Sequence, residues 1–247
     1  MFNTKRTTMK SIIFISALLF GENERTAPSA AEIIGAWQSQ TGEVTSSWIA
    51  SEKYFAIAIY NEKEKQFIET YGGSWRLEGN KLTFRYEFHT TDPAQIGKEH
   101  SIPIELKKDR LVFEPKKKEM TWKKLDSGAP GKLAGAWLIT GRYTNNEMQK
   151  ITPGARRTMK ILSGTRFQWI AYNEETREFF GTGGGSYTTE NGVYTETIDF
   201  FSRDASRVGM ALQFNFALEN GNWRHTGKSS KGDPIDEIWT RREKIGI

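Results

Sequence analysis

Two glutamates and a histidine, Glu196, His225 and Glu237, are the residues whose type and spacing could do chemistry. Each shares the two-residue parity of large apolar neighbours: Glu196 lies between Tyr194 and Ile198, His225 follows Trp223 by two, and Glu237 precedes Trp239 by two. Residues two apart on a strand point to the same face, so burial of those neighbours would bury the ionisable groups with them. A carboxylate out of water costs several kcal/mol or shifts its pKa upward unless it is paired. Three roles follow. The trio could divide acid and base work on a small substrate, hydrogen-bond a polar ligand, or offer two oxygens and a nitrogen to a divalent metal. None of these has a diagnostic spacing. The structural alternative is that the glutamates lie at a rim facing solvent or pair with Arg203, Arg207 or Arg241.

Other candidates surround them. Trp169, Tyr172, Tyr187 and Trp223 could wall a cavity, although aromatic residues in barrels are more often core than contact. Gln168 and Arg207 are polar handles for a ligand. The segment Gly227 to Pro234, directly before Glu237, could be a lid, a rim or a tolerated surface insertion. His89 and His100 have no carboxylate at matching parity and read as surface or rim residues. The signatures of common hydrolases and zinc sites are absent, and the glycines at 72, 73 and 183 to 185 lack the Lys-Ser/Thr pair of a phosphate loop. No cofactor is expected, and no metal beyond the open alternative above.

What must position these residues is a repeated unit. Gly35-Ala36-Trp37 recurs as Gly135-Ala136-Trp137, Tyr60-Asn61-Glu62 as Tyr172-Asn173-Glu174, and Gly72-Gly73-Ser74 as Gly184-Gly185-Ser186. The offset between copies grows from 100 to 112 and then to 117 at Trp122 and Trp239, which places insertions in the second copy around Asn145 to Arg157 and within Gly227 to Pro234. Within each copy the hydrophobic period is two: Leu82, Phe84, Tyr86 and Phe88 alternate with Lys81, Thr83, Arg85 and Glu87. Turn signals such as Glu78-Gly79-Asn80 and Glu190-Asn191-Gly192 separate the runs at hairpin spacing. A meander of this length buries one face and removes its edges by closing into a barrel. Where Glu196, His225 and Glu237 stand in the second copy, the first has Phe84, Phe113 and Met120 on the face assigned inward. The first barrel therefore reads as filled or apolar, the second as carrying a polar site.

Gly-x-Trp at the start of an up-and-down barrel resembles the opening signature of lipocalins and related calycins, and Phe179 to Tyr187 with Trp239 resembles lipocalin-like domains of unknown function in secreted bacterial proteins. The resemblance covers most of residues 33 to 242. It implies a tryptophan plug across each barrel floor, and storage or transport of small apolar molecules as the family's work. Each copy is shorter than an animal lipocalin and lacks disulfides and a clear C-terminal helix.

The chain thus reads as all-β, two tandem antiparallel up-and-down lipocalin-like barrels: a signal peptide and short leader over 1–31, barrel one over 32–126, a linker over 127–132, and barrel two over 133–247. Lys5, Arg6 and Lys10 before the apolar run Ser11 to Phe20 give an export signal too short for a stable span, starting at Met1 or Met9. A periplasmic or secreted protein without stable membrane insertion follows, and the absence of cysteine removes thiol chemistry. The net charge of +5 from 35 basic and 30 acidic residues is spread along the chain and gives no nucleic-acid footprint. Its one compact basic run, Lys116 to Lys118, reads as a solvated hairpin tip, with polyanion binding as the alternative. The leading expectation is an exported small-molecule binding protein with its pocket in barrel two. The rivals are a lyase, isomerase or hydrolase using the same Glu/His trio on a small polar or sugar-like substrate, and a filled-barrel scaffold or adhesion module. Neither partner beyond a small ligand nor oligomeric state is readable.

Overall fold

The computed structural model describes residues 27–114, 120–129 and 131–247. Residues 1–26 of the expected leader, the run Lys116 to Lys118 and Pro130 of the expected linker lie outside the described residues. Eight antiparallel strands close the first barrel: β1 (Gly35–Thr41), β2 (Val44–Ala50), β3 (Tyr54–Asn61), β4 (Gln66–Glu78), β5 (Lys81–His89), β6 (Glu99–Lys107), β7 (Arg110–Phe113) and β8 (Met120–Asp126). The second barrel holds β9 (Gly135–Thr144), β10 (Glu147–Lys150), β11 (Arg156–Leu162), β12 (Arg166–Asn173), β13 (Glu178–Glu190), β14 (Val193–Phe201), β15 (Ala211–Glu219), β16 (Asn222–Lys228) and β17 (Pro234–Arg241). It closes by pairing β17 with β9, while β10 pairs only with the far half of β9. That hairpin is the first insertion. Short helices α1 (Ala30–Ile33) and α2 (Arg242–Ile245) flank the barrels.

Each barrel has a floor built the same way. Trp37 Nε1 donates to the Ile33 carbonyl at 2.8 Å, and Trp137 Nε1 donates to the Leu133 carbonyl at 2.8 Å. A cation lies on each indole: the Lys124 ammonium is 5.0 Å from the Trp37 ring and the Arg241 guanidinium 3.9 Å from that of Trp137. The matched glycines serve closure. Strand register slips between Gly72 and Gly73 and again between Gly184 and Gly185. A Cβ on Gly73 or Gly185 would sit 2.1 or 2.0 Å from a carbonyl oxygen of the neighbouring strand, so no side chain fits where the sheet bends.

The two barrels share an interface made from equivalent residues. Phe200 stacks on Tyr60 at 4.8 Å, and its counterpart Phe88 lies on Tyr172 at 4.9 Å. Phe67 and Phe179, equivalent to each other, stack across the interface at 6.3 Å with an interplanar angle of 11°. Such reciprocity, in which residue i meets j and j meets i, is the pattern of a two-fold dimer, so the chain is arranged as a covalently joined pseudo-symmetric pair. Ile49, Tyr54, Ala56 and Phe88 of the first barrel form one buried cluster with Ala136, Leu138, Met159, Ile161, Ile170 and Tyr172 of the second.

Polar contacts then fix the docking. Glu87 accepts from Tyr172 Oη at 2.6 Å and from Arg242 Nη2 at 2.9 Å, while Gln168 Nε2 donates to Thr70 Oγ1 at 2.8 Å. At the other end Asp126, last residue of β8, accepts from the backbone N–H groups of Gly164 and Thr165 at 3.0 Å and from both neighbouring hydroxyls of Ser163 and Thr165. This turn of barrel two is therefore anchored on barrel one.

Candidate functional site

The polar residues of barrel two lie inside it. Glu196, His225 and Glu237 are 4%, 2% and 9% exposed, as their parity predicts. The structure adds a fourth member, Lys160 on β11, whose Nζ is 2.8 Å from Glu196 Oε1 and which is equally buried. Its ammonium is ringed by Trp223, Tyr194, Trp239 and Phe214 at 5.0, 5.1, 5.5 and 5.7 Å. Tyr194 Oη donates the second hydrogen bond to Glu196, at 2.8 Å. Glu237 sits nearer the mouth, the end opposite the Trp137 floor, where Arg142 Nη2 reaches it at 3.1 Å and Trp239 Nε1 donates to it at 3.1 Å.

The first barrel shows what this column replaced. At the register positions of Lys160, Glu196 and His225 it carries Trp48, Phe84 and Phe113, three rings in mutual contact at 5.6 to 6.2 Å. Bulk has moved as well. Leu82 and Leu111 of the first barrel correspond to Tyr194 and Trp223 of the second, so large rings in the second barrel surround smaller polar chains where the first surrounds large rings with leucines. Conserved volume with exchanged chemistry is what close packing demands. Met120, expected to face inward at the position of Glu237, is instead 47% exposed, as the first residue of β8 paired with Phe113 at the end of β7.

Electrostatics set the protonation states. Burial drives His225 down to about 4, helped by the Lys160 charge and opposed by the hydrogen bond to Glu237. Burial opposes ionisation of Glu237, yet the hydrogen bond from His225 together with Lys160 and Arg142 holds it well below the ordinary carboxylate range. At neutral pH the pair is thus imidazole and carboxylate. His225 Nδ1 faces Glu237 Oε2 at 3.4 Å, which assigns the proton to Nδ1 and leaves Nε2 as an acceptor, buried and without a partner. No three His, Cys, Asp or Glu gather in metal-holding geometry among the described residues, and the Glu196 carboxylate is paired with Lys160.

A pH signature follows. The unfolded chain protonates His225 near 6.5 while the folded one waits until about 4, so this residue withdraws stability as pH falls through that window. Asp199 has the opposite sign: burial, against the pull of Arg166, raises it from 3.8 to about 6, so its cost appears as pH rises. The difference between His225→Phe and the parent reads the first effect together with the loss of the hydrogen bond that lowers Glu237. Urea unfolding at several pH values should show the variant gaining relative to the parent by up to about 1.4 kcal/mol per pH unit below 6.5. A pH-independent difference would contradict a buried neutral histidine.

The remaining expected site residues divide. Trp223 and Tyr187 belong to the core of barrel two, Tyr187 Oη donating to the Ser163 carbonyl at 2.6 Å. Trp169 is partly buried beside Phe201, at 5.5 Å, towards the mouth. Arg207 is also at the mouth, bonded to the Ser230 carbonyl at 2.6 Å and to Asp204 at 2.9 Å. Gln168 and Tyr172 do not face the interior. They point outward into the interface, because that face of β12 is buried by the other barrel and so mimics an interior pattern. His89 and His100 pack around Tyr86 at 5.6 and 5.3 Å, near the rim of barrel one. Lys160 and Arg142 escaped the sequence reading, although the 112-residue offset places Lys160 on Trp48.

Two cavities open at the mouth of barrel two. One, of about 290 Å³, is lined by Glu237, Trp239, Ile139 and Arg142 together with Ile151, Pro153, Arg156 and other residues of the first insertion or its edges. The other, of about 400 Å³, lies between the 202–207 segment and Ser229 to Lys231 of the second insertion. Both insertions therefore build the rim.

Residues 132–245 match the DUF4488 family, a domain of unknown function. The DUF4488 match spans the second barrel, the one with the polar interior. No curated protein matches the chain. Among solved structures, the DnaN sliding clamp (DNA polymerase III subunit beta) from Pseudomonas aeruginosa bound to griselimycin aligns at 9% identity over 85% of this chain and 76% of that one, with a TM-score of 0.14.

Proposed function

We propose that the protein is exported and binds a small polar molecule at the mouth of its second barrel, both units being lipocalin-like. The observation that carries this reading is the polar column that rises from Lys160 and Glu196 through His225 to Glu237 and ends on the 290 Å³ cavity. That volume sits at the lower end of small-molecule sites, and its walls combine an indole with a few convergent polar groups. The first insertion, absent from barrel one, frames it, and the second lines the neighbouring rim cavity. Export rests on the basic and apolar N-terminal sequence, and the lipocalin likeness on the repeated Gly-x-Trp floor.

Acid–base catalysis is the second reading, favoured by the carboxylate that orients His225. Against turnover stands the burial of Nε2, since His225 does not line the cavity at Glu237.

Thermal shift over a library of small polar metabolites tests the proposal, comparing parent and Glu237→Gln. A ligand at 100 times its Kd stabilises by about 2.7 kcal/mol, several degrees for a chain of this size. At least one compound should raise the Tm of the parent by that much and fail to do so in the variant. Equal shifts in both proteins, or none in the parent, would refute a site at Glu237.

A further inference from the structure

The second rim cavity has no role in the column just described, and its composition is one-sided. Arg203, Arg207 and Lys231 line it against a single carboxylate, Asp204, with Ser229, Ser230 and the ring of Phe201 completing the wall. Asp204 is already consumed: one oxygen accepts from the Ser206 backbone and hydroxyl at 3.0 and 2.6 Å, the other pairs with Arg207 at 2.9 Å. Donors remain unspent. Arg207 uses Nε on Asp204 and Nη1 on Ser230, and Arg203 directs Nε and Nη2 at the Phe180 carbonyl, so each keeps a free terminal nitrogen.

Barrel one supplies a control. At the positions of Arg203 and Arg207 it has Thr91 and Gln95, while Asp204 corresponds to Asp92 and caps the same kind of short turn. The turn was kept and the cations were added. Arg207 also clips the inserted loop to the barrel through Ser230, so the longer connection between β16 and β17 is held in place as a wall.

We infer that this cavity is an anion subsite, taking the carboxylate or phosphate end of the ligand bound at the barrel-two mouth, with an apolar part against Phe201 and Trp169. Guanidinium forks suit planar or tetrahedral oxyanions. The inference rests on the reading of that mouth as a ligand site.

The test titrates the full-length chain calorimetrically with inorganic phosphate, pyrophosphate and citrate, at low and moderate salt, in the parent and in Arg203→Gln, Lys231→Gln and Glu237→Gln. These substitutions leave the Arg207 clip intact, and circular dichroism verifies their fold. Saturable binding of at least one probe is expected, weakened tenfold or more by Arg203→Gln or Lys231→Gln, weakened by salt, and unchanged by Glu237→Gln. Citrate preference would mark a carboxylate ligand, and phosphate or pyrophosphate preference a phosphorylated one. No saturable binding, or equal affinity in parent and cavity variants, overturns the anion subsite. A neutral metabolite that depends on Glu237 but not on Arg203 or Lys231 would also overturn it while leaving the proposed binding function standing.

Discussion

Lys160→Met should cost the second barrel about 3–5 kcal/mol, the range for removing one partner of a buried ion pair. The methionine fills much of the lysine's volume, so the loss is electrostatic. Glu196, 4% exposed, would keep only the Tyr194 hydroxyl and would have to protonate or draw in water. Moving Lys160, Glu196 and His225 together reverses the outcome, with Glu237 keeping Arg142 and Trp239 as partners. Lys160→Trp, Glu196→Phe and His225→Phe restore the rings of barrel one, and Tyr194→Leu with Trp223→Leu restores the space they need. That five-fold variant should match or exceed the parent by about 1–4 kcal/mol, because replacing a buried ionic cluster by well-packed apolar side chains removes desolvation without leaving a lone charge. The three ring insertions without the two leucines should overpack and lose stability. Chemical denaturation ranks the three proteins. A neutral Lys160→Met would show that the pair is not held as an ion pair, and a five-fold variant that fails to fold would show that the barrels do not share one packing plan.

This contrast also explains what could be read from residues alone. Strand parity placed Glu196, His225 and Glu237 inside because their neighbours Tyr194, Trp223 and Trp239 leave no doubt about the buried face. Lys160 gave no such signal: it stands among Met159, Ile161 and Leu162, and β11 is apolar on both faces because Ile161 meets the other barrel while Leu162 meets its own core. The same doubly buried condition sent Gln168 and Tyr172 outward. Period two reports burial, not which neighbour supplies it. The barrel closure, the repeat and both insertions were legible, since glycine, turn residues and offsets are local. The interface was not, since it depends on how two separately closed surfaces meet.

Glu87→Ala tests that interface. Glu87 faces Arg242, which is 1% exposed and donates Nη2 to both carboxylate oxygens at 2.9 Å, and it also accepts the Tyr172 hydroxyl. Arg157 approaches at 3.5 Å. Truncation leaves a buried guanidinium over Tyr54 with the Ile247 carbonyl as its one remaining oxygen partner, and the expected loss is again about 3–5 kcal/mol. The equivalent residue across the pseudo-dyad, Asp199, has a single ion-pair partner, Arg166 at 3.0 Å, with 14% of its side chain exposed. Burial raises its pKa to about 6, so its charged form carries a cost, and Arg166 is one partner where Glu87 has two arginines and a tyrosine. Asp199→Ala should therefore cost clearly less than Glu87→Ala, although the two positions are related by the repeat. The unfolding profile gives a second readout: with the Glu87 network gone, the shared cluster around Ile161 and Phe88, the Phe67–Phe179 and Tyr60–Phe200 stacks, the Gln168–Thr70 bond and the Asp126 anchor are left to join the barrels, and a single cooperative transition should broaden. Equal losses at both sites would mean that the two halves of the interface still act symmetrically, and an unbroadened transition after Glu87→Ala would assign the coupling of the barrels to the contacts outside the Glu87 network.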